Sequence, residues 1–162
     1  MNTANKFFKE NLIKNNIKRY NLKPISIAKY SPYTYFKNIL YISGQLPIIN
    51  GVLEYSGKIG RDIDERDSEN CVLICTSNLL WNINDFLENT DITVKNVGCL
   101  NLKGYFNTVE NYKEHSILLD KASVIMHQVL GSKYGDHSRL AIGCNSLPKN
   151  SPVEIEAIFS IL

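Results

Sequence analysis

The closing stretch GDHSRLAIGCNSLPKNSPVEIEAIFSIL (residues 135–162) holds the two side chains best suited to chemistry, Arg139 and Glu154, 15 residues apart. Both lie in runs that otherwise read as apolar strands, where a hydrophobe would be easier to bury. A guanidinium at a subunit boundary can hold a carboxylate through two parallel hydrogen bonds, a geometry that lysine lacks. An interface salt bridge would serve equally well as a reason for the arginine. Glu154 shares a strand face with Glu156, and a solvent-facing edge glutamate is the plain alternative for either.

Other chemistries find little support. No nucleophile–histidine–acid triad, GxSxG elbow, phosphate loop or dinucleotide fingerprint is present. The four cysteines (71, 75, 99, 144) include an i, i+4 pair, but no CxxC or HxxxH accompanies them, so buried reduced thiols are expected and no metal. The acids Asp62, Asp64, Glu65, Asp67 and Glu69 read as the solvated start of a helix, where negative charge complements the dipole. No cofactor is implied.

The net charge of +2 conceals an asymmetry: residues 1–23 carry six Lys/Arg and one acid, the remainder 12 basic and 15 acidic residues. Only the N-terminal segment could therefore offer nucleic acid a basic face. Hydrophobic content of 44% and charged content of 21% are those of a globular domain, and no apolar run reaches the roughly 20 residues that cross a bilayer. The N-terminus lacks the apolar core of a secretory signal, which leaves the cytoplasm as the expected location.

The elements that must position Arg139 and Glu154 follow from periodicity. Phe7, Phe8, Leu12, Ile13 and Ile17 predict an N-terminal helix ending before Pro24, so that residues 1–24 form an amphipathic extension to a domain spanning 25–162. NILYISGQLPI (38–48) predicts a strand, with ISIAKYSPYTYF as its antiparallel partner, and Asn50-Gly51 a tight hairpin. Val72, Cys75, Leu79, Ile83 and Phe86 trace a helix beginning near Asp64. Residues 92–106 return to strand character, and Leu118 to Val129 form a second amphipathic helix stopped by Gly131. The fold class is α+β, two main helices on one face of a mixed sheet. The other face, judged too apolar for water, is expected to be covered by further subunits.

YISGQLPI, GKIG, HSRLAIG and LPKNSPVEIEAIF, in this order, closely resemble the reactive-intermediate deaminase family (RidA/YjgF-like, L-PSP endoribonuclease-like) from about residue 25 to the end. The N-terminal helix and GKIG resemble a longer subgroup of that family. The resemblance implies a chorismate-mutase-like fold and a homotrimer with the sheets inside and clefts between subunits. It also implies cofactor-independent hydrolysis of amino-acid-derived enamines and imines to a 2-oxo acid and ammonia. By the same resemblance Arg139 clamps the substrate carboxylate and Glu154 positions the attacking water, while Gly44 and Tyr30 line the cleft. Two positions depart: Ala141 stands where the archetypes carry cysteine, and Asp120 falls near a cleft asparagine. These changes bear on imine chemistry more than on carboxylate binding.

Three functions remain in view. The first is a deaminase; the second is a non-catalytic sensor or carrier of small carboxylates. The third, endoribonuclease or translation inhibitor, is disfavoured by the acidic body. A simple hairpin turning at Lys149-Asn150 would hold Arg139 and Glu154 roughly 17–20 Å apart, so a shared site needs the two strands to bulge or to pair elsewhere.

Overall fold

The structure, a computed structural model, describes residues 5–162. Helix α1 (Lys6–Lys14) buries Phe8 and Leu12 against the domain. It stops short of Ile17, and residues 17–30 run on as a strap without regular structure. Two short strands follow, β1 (Tyr33–Phe36) and β2 (Ile39–Gln45), antiparallel as their sequence predicts. Next comes the small hairpin β3 (Ile48–Ile49) and β4 (Val52–Leu53). Asn50 and Gly51 adopt φ of 50° and 82°, the left-handed pair that a two-residue turn between twisted strands requires.

Helix α2 (Glu65–Glu88) starts where the acids indicated: Asp64 caps it by accepting a hydrogen bond from the Asp67 N–H at 2.8 Å. After β5 (Val97–Asn107), helix α3 (His115–Gly135) is interrupted at Gly131, whose φ of 77° breaks the helical path. The stop predicted there is thus a kink followed by one further turn. Strands β6 (Ser138–Cys144) and β7 (Val153–Ile161) complete the chain.

The five-stranded sheet has the order β1-β2-β7-β5-β6, with β5 and β6 parallel and the other pairs antiparallel. The last two strands are therefore not a hairpin: β7 runs between β2 and β5, and β6 is the far edge. One sheet face carries Leu40, Ile42, Leu102, Phe106, Ile155 and Phe159 into a core shared with Val72, Leu79 and Ile83 of α2 and Leu119, Ala122 and Met126 of α3. Each of these side chains except Ala122 contributes about 1.5–3 kcal/mol by leaving water. Strict alternation in β7 decides the other face.

That face is less apolar than the sequence indicated. It presents Tyr41, Leu140 and Ile142, but also Lys103, Tyr105, Glu154 and Glu156, because every second residue of β5 and β7 turns away from the helices. Among the described residues no helix is long and apolar enough to cross a membrane.

Candidate functional site

The residues singled out by the sequence fall into two groups. Glu154 sits near the start of β7, level with Tyr105 of β5. A register shift between Ile42 and Gln45 bulges β2 beside it and brings Gly44 against the glutamate side chain. An ideal Cβ at position 44 would overlap the Glu154 carboxylate, lying 2.7 Å from Cδ. Glycine is needed there for the close approach. Tyr30, at the end of the strap, and Gly44 line one cavity together with Gln45, Asn82 and Asp85. Gly44 and Glu154 thus form one half-site, while Tyr30 meets Gly44 in a cavity that Glu154 does not line.

The structure also separates the two glutamates. Glu156 is engaged by Lys103 Nζ at 2.7 Å and accepts from the Tyr105 hydroxyl at 3.3 Å. Glu154 has no ion-pair partner among the described residues, and burial, then the Glu156 charge, hold its carboxyl above the ordinary value. A carboxyl raised in this way lowers stability as pH climbs from its unfolded value through the folded one, since the folded state holds the proton more tightly. Glu154→Gln is therefore expected to melt ~2 °C above wild type at pH 7. That gap should close below about pH 4, where both forms of the residue are neutral. Calorimetry across pH checks this, and a lower melting temperature at pH 7 would contradict it.

The second half-site lies on the helix-facing side of the edge strand. Arg139 Nη1 donates to Ser123 Oγ at 3.0 Å, Nη2 donates to Ser116 Oγ at 3.0 Å, and Asp120 Oδ1 lies 2.6 Å from Nη2. Ser116, Asp120 and Ser123 are spaced i, i+4, i+7, one row along α3. Behind them His137 Nδ1 meets the Gly135 carbonyl at 2.5 Å, so in the neutral ring Nε2 is left to accept from Ser123 at 3.0 Å. Further along the same strand face, Gly143 leaves room for His115, whose Nε2 would lie 2.5 Å from a Cβ there. In the sequence the histidines 115, 127 and 137 lack metal-motif spacing and the serines lack a GxSxG setting, so the only signal for this cluster is the 116–120–123 row.

The two half-sites do not meet within one chain. Arg139 pairs with Leu102 and Glu154 with Tyr105, two strands apart and three residues along. Their Cα positions are roughly 14 Å apart and their side chains leave opposite faces of the sheet.

The thiols lie apart from both half-sites or are inert. Burial pushes Cys71, Cys75 and Cys144 upward and Cys99 up to about 12. No group of three or more His, Cys, Asp or Glu side chains among the described residues could hold a metal ion.

Comparison with known proteins places this architecture. Residues 21–161 match the family described as Endoribonuclease L-PSP. The crystal structure of an Agrobacterium tumefaciens protein of unknown function is 30% identical, with a TM-score of 0.79 over 98% of this chain and 95% of that one. A Shewanella oneidensis protein described as a candidate endoribonuclease superposes with a TM-score of 0.80 at 23% identity, covering 96% of this chain and 99% of its own. Protein TCP17 of Trypanosoma cruzi is 27% identical over 152 residues, 90% of this chain and 92% of its own length.

Proposed function

Since the chain belongs to the endoribonuclease L-PSP family, the reactive-intermediate deaminase (Rid) family that its motifs resemble, we propose that it hydrolyses small amino-acid-derived enamines and imines in clefts between subunits of a homotrimer. Arg139 of one subunit holds the substrate carboxylate, and Glu154 of the next faces the electrophilic carbon. Water adds to the iminium carbon as Glu154 takes its proton. The carbinolamine nitrogen then receives that proton and leaves as ammonia while the hydroxyl gives its proton back to Glu154 and the carbonyl forms, giving the 2-oxo acid.

The observation that carries this reading is the incompleteness of each half-site. Arg139 stands on an edge strand with 28% of its side chain exposed, and Glu154 lies on the sheet face away from the helices without a counter-charge among the described residues. A carboxyl kept above its ordinary value can take a proton and return it at neutral pH more readily than a surface glutamate.

A carrier of small carboxylates is the second reading, favoured by Ala141 in place of the archetypal cysteine. Endoribonuclease action finds less support, because two of the six N-terminal basic residues are already engaged by acids of α2: Lys9 by Glu88 and Arg19 by Asp85. The decisive assay follows 2-oxo acid release from enzymatically generated 2-aminoacrylate. Acceleration over spontaneous hydrolysis is the expected result. Ligand binding without acceleration would indicate the carrier, and salt-sensitive RNA cleavage the ribonuclease.

A further inference from the structure

We infer that Asp120 sets the selectivity of the cleft, favouring ligands with a cationic nitrogen beside the carboxylate over simple anions by receiving that nitrogen itself. This rests on the reading above that Arg139 takes the carboxylate. Asp120 lies 2.6 Å from Arg139 Nη2, so the guanidinium charge is cancelled before any ligand arrives. Its contribution is charge rather than orientation, because the neutral hydroxyls of Ser116 and Ser123 already fix the guanidinium plane.

The surroundings do not neutralise Asp120 in turn. Lys121, the next residue on the helix, is engaged by Glu69 at 2.9 Å, and His127 lies 3.7 Å from Asp136. His137 bonds to Ser123 through Nε2 and to the Gly135 carbonyl through Nδ1. The Asp120 side chain is 55% exposed, leaving carboxylate surface open beside the arginine. A plain carboxylate would therefore enter a half-site of no net charge, facing Glu154 of the neighbouring subunit, and would add to the negative charge of the cleft. A zwitterion avoids that penalty by setting its carboxylate on Arg139 and its nitrogen on Asp120. An asparagine at 120 would leave Arg139 its full charge and favour simple anions.

L-alanine and pyruvate differ at this one position, the first bearing an ammonium where the second bears a carbonyl. Calorimetric titration of the full chain with both compounds should show L-alanine binding about tenfold tighter. Asp120→Asn should erase that preference, with L-alanine about tenfold weaker and pyruvate at least as tight as before. Circular dichroism on the same variant confirms the fold. The inference is overturned if Asp120→Asn leaves the ratio of the two affinities unchanged, or if the wild type prefers pyruvate. Arg139→Ala separates the two levels. Loss of both ligands there with an unaltered ratio in Asp120→Asn sinks only the role of Asp120. Retention of both in Arg139→Ala, or binding of neither by the wild type, sinks the carboxylate reading as well.

Discussion

Arg139→Ala is expected to lose small-carboxylate binding by on the order of 100-fold or more, while keeping the fold and the assembly. The loss follows from chemistry: Ser116, Ser123 and Asp120 engage three of the five guanidinium N–H groups, the Nε–H and one Nη1 hydrogen have no partner among the described residues, and alanine leaves nothing in their place. Arg139→Lys keeps the charge but not the fork and should weaken binding strongly without abolishing it. Stability should change little in either variant. Asp120 is more than half exposed, so removing its partner strands no buried charge. Ligand affinity and light scattering on the same two proteins form the test. A variant that binds normally but dissociates would make Arg139 an architectural residue.

Arg19→Ala should behave in the opposite way, costing stability instead of binding. The Arg19 Nη2 lies 2.6 Å from Asp85 Oδ1, and the Asp85 side chain is only 10% exposed. The guanidinium also donates to the Asn21 and Leu22 carbonyls and lies 4.9 Å from the centre of the Trp81 ring. Its removal leaves a buried carboxylate unpaired and the strap untied, a loss of about 3 kcal/mol. In a chain of this size that lowers the melting temperature by ~6–10 °C. Burial already holds Asp85 above its ordinary value despite Arg19. The deficit of the variant should therefore shrink as pH falls and Asp85 takes up a proton. Adding Asp85→Asn should recover part of the loss. If the double variant is no more stable than Arg19→Ala, the stranded charge is not the cause.

Local signals were legible wherever the cause was local. The Asn50-Gly51 turn, the Asp64 cap and the apolar rows of α2 and α3 all follow from a few neighbouring residues. The strand order was not legible, because nothing within β6 or β7 states that β7 inserts between β2 and β5. The strap was hidden for a different reason. Its backbone makes no ladder, so its carbonyls need side-chain donors, and α2 supplies them from a polar face: Ser77 donates to Lys18 O, and Trp81 Nε1 to Ile17 O at 3.1 Å. Asn78 donates to the Leu46 and Ile48 carbonyls and accepts from Asn21 Nδ2 at 2.9 Å. A helix buried on its polar side defeats any reading that equates polar with exposed. The candidate site was readable as residues but not as a place. Arg139 and Glu154 could be named from their setting, whereas their separation onto two sheet faces depended on the topology.

The placement of the two half-sites on opposite sheet faces has a genetic consequence. If each cleft takes Arg139 from one subunit and Glu154 from its neighbour, two individually dead proteins can repair one another. Arg139→Ala chains still carry Glu154, and Glu154→Gln chains still carry Arg139. In a closed ring of three, any mixture of the two kinds contains one junction where an intact arginine meets an intact glutamate. Random co-assembly of equal amounts should therefore restore about a quarter of the wild-type sites, while either variant alone stays inactive. Mixing after assembly, without subunit exchange, should restore none. A pair of defects within one chain would remain silent at every ratio, so a cell carrying two damaged copies could still be functional where one carrying a doubly damaged copy is not.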